Sequence, residues 1–336
     1  MATVEKDIRY GKAHPLQSLD VHRSPRDGAG WIIFIHGGAW RDPKITSDVG
    51  EPLLSRLLLD LSCNAASLNY RLSPYPNSES TSVDLESTSF NAELAASDSD
   101  ASFSDSELAS SDSEAAFSDS EAAYSDSEIP TSKHKLLIPD SELTSSTLRF
   151  ATLDLKSVPS HTEALPPNTA RHPDHINDVL SALEYLHKKY TLSNYVIIGH
   201  SAGATLACQA VEAILAGRNL PLPKVIMGLE GIYDIGGLVK EYGDDYRGFV
   251  EGAFGQEEEW PPALDVKGYK GLVVLAQSDQ DELLSWRQTE DMKERLQETL
   301  GTGGAVRVVK AKGKHDEMLK TQHLADLMVR YIRGVV

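Results

Sequence analysis

This 336-residue chain is poor in several things at once. It has only two cysteines, Cys63 and Cys208. Two thiols cannot build the disulfide framework of a small secreted scaffold. Cys63 opens a strand-like run and Cys208 lies in an apolar helical pattern, so both read as buried thiols and not as a bridge. No apolar run approaches the roughly 20 residues that a membrane-spanning helix needs. The opening stretch Met1-Ala2-Thr3-Val4-Glu5-Lys6-Asp7 lacks the apolar centre of a secretion signal. The expectation is a soluble protein in a reducing, cytoplasmic setting, with no membrane partner. Positive charge is scarce too, with 32 Lys and Arg against 50 Asp and Glu. That balance argues against a nucleic-acid partner, because phosphate binding rests on cationic side chains.

Hydrophobic residues are also fewer than usual, at 40%. The shortfall is local. Residues 78–165 hold 18 acidic and 4 basic residues, a net of −14, while the other 248 residues carry only −4. The tract contains a near repeat at Phe103–Glu107, Phe117–Glu121 and Tyr124–Glu128, each reading aromatic-Ser-Asp-Ser-Glu. Such a segment buries too little apolar surface to offset its ordering entropy. The reading is a disordered acidic insertion, 78–165, inside one domain spanning 1–336. Long surface insertions cost little closure entropy, so the fold can carry it. It reads as a solvated spacer, or as a substrate for acid-directed kinases at its repeated serines.

Outside the tract, strand and helix patterns alternate. Strand-like runs are Trp31–Ile35, Cys63–Leu68, Asn194–Ile198, Lys224–Leu229, Gly271–Ala276 and Ala305–Val309. Helical patterns are Glu51–Leu61, His175–Tyr190, Ala202–Ala216, Leu284–Leu300 and Glu317–Tyr331. This order predicts an α/β fold, with a mostly parallel central sheet covered by helices on both faces.

Two motifs carry chemistry. His36-Gly37-Gly38-Ala39-Trp40 follows the strand Trp31–Ile35, and Gly199-His200-Ser201-Ala202-Gly203 joins a strand to a helix. The second is a nucleophile elbow, which would hold Ser201 on a tight strand-to-helix turn. The first would supply an oxyanion hole from the backbone N–H groups of Gly37 and Gly38, completed by that of Ala202. Chain order in such folds runs serine, acid, histidine. His315 follows the last strand and a short loop, so it is the candidate general base, whereas His323 falls inside the final helical pattern. Asp279 and Asp281 compete for the acid, and the spacing from Gln277 favours Asp281. The acid would orient the imidazole and hold the imidazolium. His36 is expected to fix its loop and not to act as a second base. His172 and His175 with Asp178 have a spacing that could bind metal, but helix-entry structure is the simpler reading, so no metal and no cofactor are expected. Trp40, Tyr242, Tyr246 and Phe254 are substrate-pocket candidates, with a core role equally open for the last three.

These residues resemble a known family. The motif His36–Trp40, the elbow Gly199–Gly203 and the run Asp281–Thr289 are similar to kynurenine formamidases of the fungal type. So are Leu68–Pro74, Arg171–Asp178, Glu230–Asp234 and Ala253–Gly255. The resemblance covers most of the chain except the acidic tract. It implies an α/β-hydrolase fold and hydrolysis of N-formyl-L-kynurenine to L-kynurenine and formate, in tryptophan breakdown towards NAD. It implies the triad Ser201, Asp281 and His315, and a cytosolic homodimer. A general carboxylesterase acting on short acyl or aryl esters would share every catalytic residue. A non-catalytic hydrolase-fold binding protein is a third reading, weakened by the presence of all three triad types in order.

Overall fold

A computed structural model describes residues 3–25, 29–75 and 167–336. The acidic tract, and with it the readings of a disordered insertion and a phosphorylated segment, lies outside the described residues. The described residues belong to one compact unit. Eight strands form its sheet: β1 (Thr3–Arg9), β2 (Ser18–Arg23), β3 (Trp31–Ile35), β4 (Asn64–Leu68), β5 (Tyr195–His200), β6 (Val225–Leu229), β7 (Leu272–Ser278) and β8 (Ala305–Ala311). Their order is β1-β2-β4-β3-β5-β6-β7-β8. β1 and β2 pair antiparallel, β2 joins β4 antiparallel, and the rest is parallel.

The apolar runs explain the central strands. Every residue of β3 and of β5 is buried. Side chains alternate along a strand, so each run feeds two cores. Trp31, Ile33, Ile35, Tyr195 and Ile197 enter the core on one face, while Ile32, Phe34, Val196 and Ile198 enter the other. Each such aliphatic side chain contributes about 2 kcal/mol by leaving water. Helices close both faces. Helices α2 (Asp174–Tyr190), α3 (Ala202–Leu215) and α6 (Trp286–Thr299) pack into the first core. Helices α1 (Glu51–Asp60) and α7 (Gln322–Ile332) pack into the second. In α7 the buried positions Leu324, Ala325, Met328, Val329 and Ile332 make one apolar stripe at helical spacing.

The structure corrects the sequence reading in four places. β1 and β2 have no counterpart in it. β1 is an edge strand with only Ile8 partly buried, so it carries no apolar alternation to detect. β2 is buried, but four of its six residues are polar; Asp20 accepts from the Asp7 N–H and from Ser47 Oγ. Two helices, α4 (Ile235–Tyr242) and α5 (Asp244–Phe254), fill a stretch left unassigned, separated by Gly243 with φ +64°. The final helical pattern divides into a 3₁₀ turn, Glu317–Lys320, and α7. Thr321 makes the break: its backbone is extended, and its hydroxyl accepts from the Leu324 N–H as the cap of α7. Lastly, β7 runs two residues past the expected end, to Ser278, and β8 to Ala311. Those extensions carry the chain to the loops that hold Asp281 and His315.

Candidate active site

Ser201 stands between β5 and α3 with φ +52° and ψ −122°. That left-handed conformation is strained for a residue with a side chain. Neighbouring glycines make it possible. A Cβ at Gly199 would strike the Gly203 carbonyl, and one at Gly203 would strike the Ile35 carbonyl. The elbow is therefore wedged against the end of β3. Ser201 N–H donates to Leu229 C=O at 2.9 Å, which ties the turn to β6 as well. Ala202 begins α3, so its N–H is among those at a helix start without an acceptor inside the helix.

The loop after β3 lies beside this turn. A Cβ on Gly37 would come to 2.7 Å from the Ser201 Cβ, so only glycine permits the approach. Gly38, Ala39 and Trp40 all have positive φ, at +84°, +48° and +58°. His36 Nδ1 lies 3.0 Å from Gly37 O, and the Tyr70 hydroxyl donates to the same oxygen at 2.9 Å. Tyr70 also stacks on His36, with ring centroids 4.4 Å apart. A trans peptide is planar, with N–H opposite C=O. Two donors on Gly37 C=O therefore fix the direction of the Gly38 N–H. Burial pushes the His36 imidazole down to about 4, so it is neutral and donates from Nδ1. This is the loop-fixing role expected of His36. The part of Tyr70 was not read from the sequence, where it was one residue of a resemblance.

The candidate acid and base meet at the ends of β7 and β8. His315 Nδ1 lies 3.0 Å from Asp281 Oδ1, and His315 is 3% exposed. Asp281 Oδ1 also accepts the Leu283 and Leu284 N–H groups, and Oδ2 accepts Gln277 Nε2 at 2.9 Å. Burial alone would raise the Asp281 carboxyl. The His315 bond and the two backbone N–H groups outweigh it and hold the group below its ordinary value. Gln277 is itself fixed by Leu284 C=O and by Thr289 Oγ1. Asp279 points elsewhere. It is half exposed and bonded to Trp286 Nε1 and to Lys310. Of the two competing aspartates, the structure brings Asp281 to the histidine. His323 lies on α7, partly buried, with Nε2 3.3 Å from Lys310 C=O.

His200 links the two halves of the site. It is fully buried, and burial first, then its neighbour His315, push it down to about 3. Neutral, it donates from Nε2 to the His315 carbonyl at 3.1 Å. The elbow and the base loop are thus joined by the residue that precedes the serine. Nothing in the sequence marks that position, since the motif leaves it free.

The pocket candidates divide. Trp40 has no exposed surface; it packs edge-on against Phe254 at 4.8 Å and near Phe249 at 6.2 Å. Phe254 is 5% exposed. Both rings pack in the core behind the loop after β3: for Phe254 this is one of the two roles left open by the sequence, and for Trp40 it replaces the substrate-facing position expected. Tyr242 and Tyr246 stack at 4.3 Å and are partly exposed. Their hydroxyls clamp the acid loop: Tyr242 accepts the Ser285 N–H, and Tyr246 donates to Leu283 C=O.

Side chains close enough to hold a cation form two sets among the described residues, His200 with His315 and Asp316, and Glu230 with Asp281 and His315. Their atoms read as a hydrogen-bonded relay, because Asp281 already accepts four bonds and His200 donates to a carbonyl. His175 and Asp178 are taken up by contacts within the fold. His175 Nε2 pairs with Ser73 Oγ, and Asp178 takes Arg71 through both oxygens. Both cysteines are free and buried. No helix among the described residues is long and apolar enough to cross a membrane.

No family model matches the chain. A kynurenine formamidase of Meyerozyma guilliermondii is 29% identical over 306 residues, covering 87% of this chain and 80% of the relative. The chain is thus similar in sequence to kynurenine formamidases of fungi. A kynurenine formamidase-like hydrolase of Fusarium equiseti is 26% identical over 347 residues, covering 92% of this chain and 87% of the relative. Among solved structures, esterase B of Lactobacillus rhamnosis superposes with a TM-score of 0.58 at 11% identity, over 99% of this chain and 85% of that one. That likeness shows the α/β-hydrolase fold.

Proposed function

We propose that this hydrolase cleaves N-formyl-L-kynurenine to L-kynurenine and formate, with Ser201 as nucleophile, His315 as base and Asp281 as its orienting acid. The observation that carries the reading is the join of the elbow at Ser201 to a His315–Asp281 pair of 3.0 Å, in a chain related to kynurenine formamidases over most of its length. Ser201 Oγ would attack the formyl carbon while His315 takes its proton. The N–H groups of Gly37, Gly38 and Ala202 would stabilise the oxyanion, each such donor being worth about 3 kcal/mol. His315 would then give the proton to the leaving aniline nitrogen, breaking the C–N bond. Water, deprotonated by His315, would release formate from the formyl-serine. Neither metal nor organic cofactor enters these steps.

The same reading makes the protein a cytosolic homodimer in tryptophan breakdown towards NAD; sedimentation of the full chain tests the dimer. The activity is tested with a spectrophotometric assay on N-formyl-L-kynurenine, for the native chain and Ser201→Ala. Kynurenine should form with the first and not the second. No kynurenine from the native chain refutes the substrate. A higher kcat/KM on simple aryl esters than on N-formyl-L-kynurenine transfers the reading to a general carboxylesterase.

A further inference from the structure

One carboxyl beside the relay has no part in the steps above. Glu230 follows β6, the strand next to the one that leads to Asp281. It has no exposed surface, and neither oxygen makes a well-formed hydrogen bond. Its backbone is left-handed, φ +45°, a conformation that costs a glutamate of order 1 kcal/mol or more. Burying an unpaired carboxyl costs more again. An aliphatic side chain would avoid that second cost. The carboxyl lies beside the imidazole of His315: Oε2 is 3.4 Å from His315 Nδ1, against 3.0 Å for Asp281 Oδ1.

The groups that face it are Asp281 and Glu282 from the loop after β7, and His315 and Asp316 from the loop after β8. Burial first, then the charge of Asp281, push the Glu230 carboxyl up to about 9, against the pull of the Ser278 N–H. Asp281 is held ionised, so the two carboxyls share one negative charge, and the proton resides on Glu230.

We propose that Glu230 is a second carboxyl of the relay, a positioning residue that flanks the His315 imidazole and takes over its Nδ1–H when Asp281 is absent. The proposal rests on the triad reading of the site and not on the identity of the substrate. With Asp281 in place, Glu230 stays protonated and the relay carries a single charge. Without Asp281, the repulsion that kept Glu230 neutral is gone. It can then ionise and accept the same hydrogen bond from the neighbouring strand end.

A double-mutant cycle tests this, with N-formyl-L-kynurenine and p-nitrophenyl acetate as parallel readouts. Losing the acid of an otherwise intact triad lowers kcat about 10⁴-fold. Asp281→Ala should lose only about 10²-fold, and Asp281→Ala with Glu230→Gln about 10⁴-fold, while Glu230→Gln alone loses less than about tenfold. Equal cost of Glu230→Gln in both backgrounds overturns the proposal. A second measurement decides if Asp281→Ala does not fold: kcat of the native chain should change in a step near pH 9 that Glu230→Gln lacks, and superimposable profiles overturn the proposal. Residual turnover by Ser201→Ala would overturn the triad reading and this proposal together. An inactive Ser201→Ala with an additive cycle overturns this proposal alone.

Discussion

Replacing Glu230 with glutamine should shift stability in the variant's favour by an amount that grows with pH. The ordinary carboxyl value is 4.5, and in the fold it is about 9. Unfolded chain therefore releases this proton above pH 4.5, while folded chain keeps it until about 9. Between those limits the unfolded state binds fewer protons, so rising pH favours unfolding. The stability tied to this proton is fully present below pH 4.5 and is lost as pH climbs to 9. Its slope is about 1.4 kcal/mol per pH unit. Native chain should thus lose about 4 kcal/mol between pH 5 and pH 8 that Glu230→Gln keeps. Urea denaturation of both proteins at pH 5, 6, 7 and 8 measures the difference, with every other titrating group cancelling to first order. The amide also needs partners in a site with few, which adds a constant offset of about 1–3 kcal/mol. The slope is the diagnostic. A difference that stays flat from pH 5 to 8 would falsify the protonated, buried carboxyl, whatever the sign of the offset.

Other perturbations probe the rest of the site. Tyr70→Phe removes one of two donors on Gly37 C=O; a loss of about 1–2 kcal/mol of anion stabilisation lowers kcat about 5- to 30-fold with little change in KM, and an unchanged kcat would refute the orienting role. Gly37→Ala places a methyl 2.7 Å from the Ser201 Cβ, so kcat should fall at least about 100-fold in a folded protein, and fluorophosphonate labelling of Ser201 should slow in parallel. Gln277→Leu strips Asp281 Oδ2 and Leu284 C=O of their donor, and both kcat and the melting temperature should drop. Asp279→Asn breaks only exposed contacts to Lys310 and Trp286, so kcat should stay within about threefold; a large loss would return the acid role to Asp279.

Much of this arrangement was legible because the chemistry sits where patterns change. Val196, Ile197 and Ile198 announce a central strand, and Gly199 and Gly203 around Ser201 announce a turn that no bulkier residue fits. His315 was found by its place after the last strand. The two-residue extension of β7 was invisible because Gln277 and Ser278 are polar. They are buried through hydrogen bonds, which hydrophobic periodicity does not register. α4 and α5 escaped for a related reason, since Gly236, Gly237, Gly243, Gly248 and Gly252 dilute their helical pattern. Trp40 drew attention by chemistry and position, yet three consecutive positive-φ residues turn the chain so that its ring enters the core. Sequence position gives the neighbourhood of a side chain, and the local dihedrals decide its direction.

The same limit explains why Tyr70, His200 and Glu230 were passed over as functional residues. Each acts on a partner far away in the chain: Tyr70 on Gly37, His200 on the His315 carbonyl, Glu230 on the His315 ring. Together they close a ring around the reacting groups. β4 leads to Tyr70, β5 to His200 and Ser201, β6 to Glu230, β7 to Asp281 and β8 to His315. Parallel strands deliver all these residues to one edge, because parallel strands end together. Loops alone would leave such a site loose. Here the acid loop is held by Tyr242, Tyr246 and Gln277, and the oxyanion loop by Tyr70 and His36. Preorganisation therefore resides in buried hydrogen bonds between loops, and weakening one of them should cost turnover before it costs the fold.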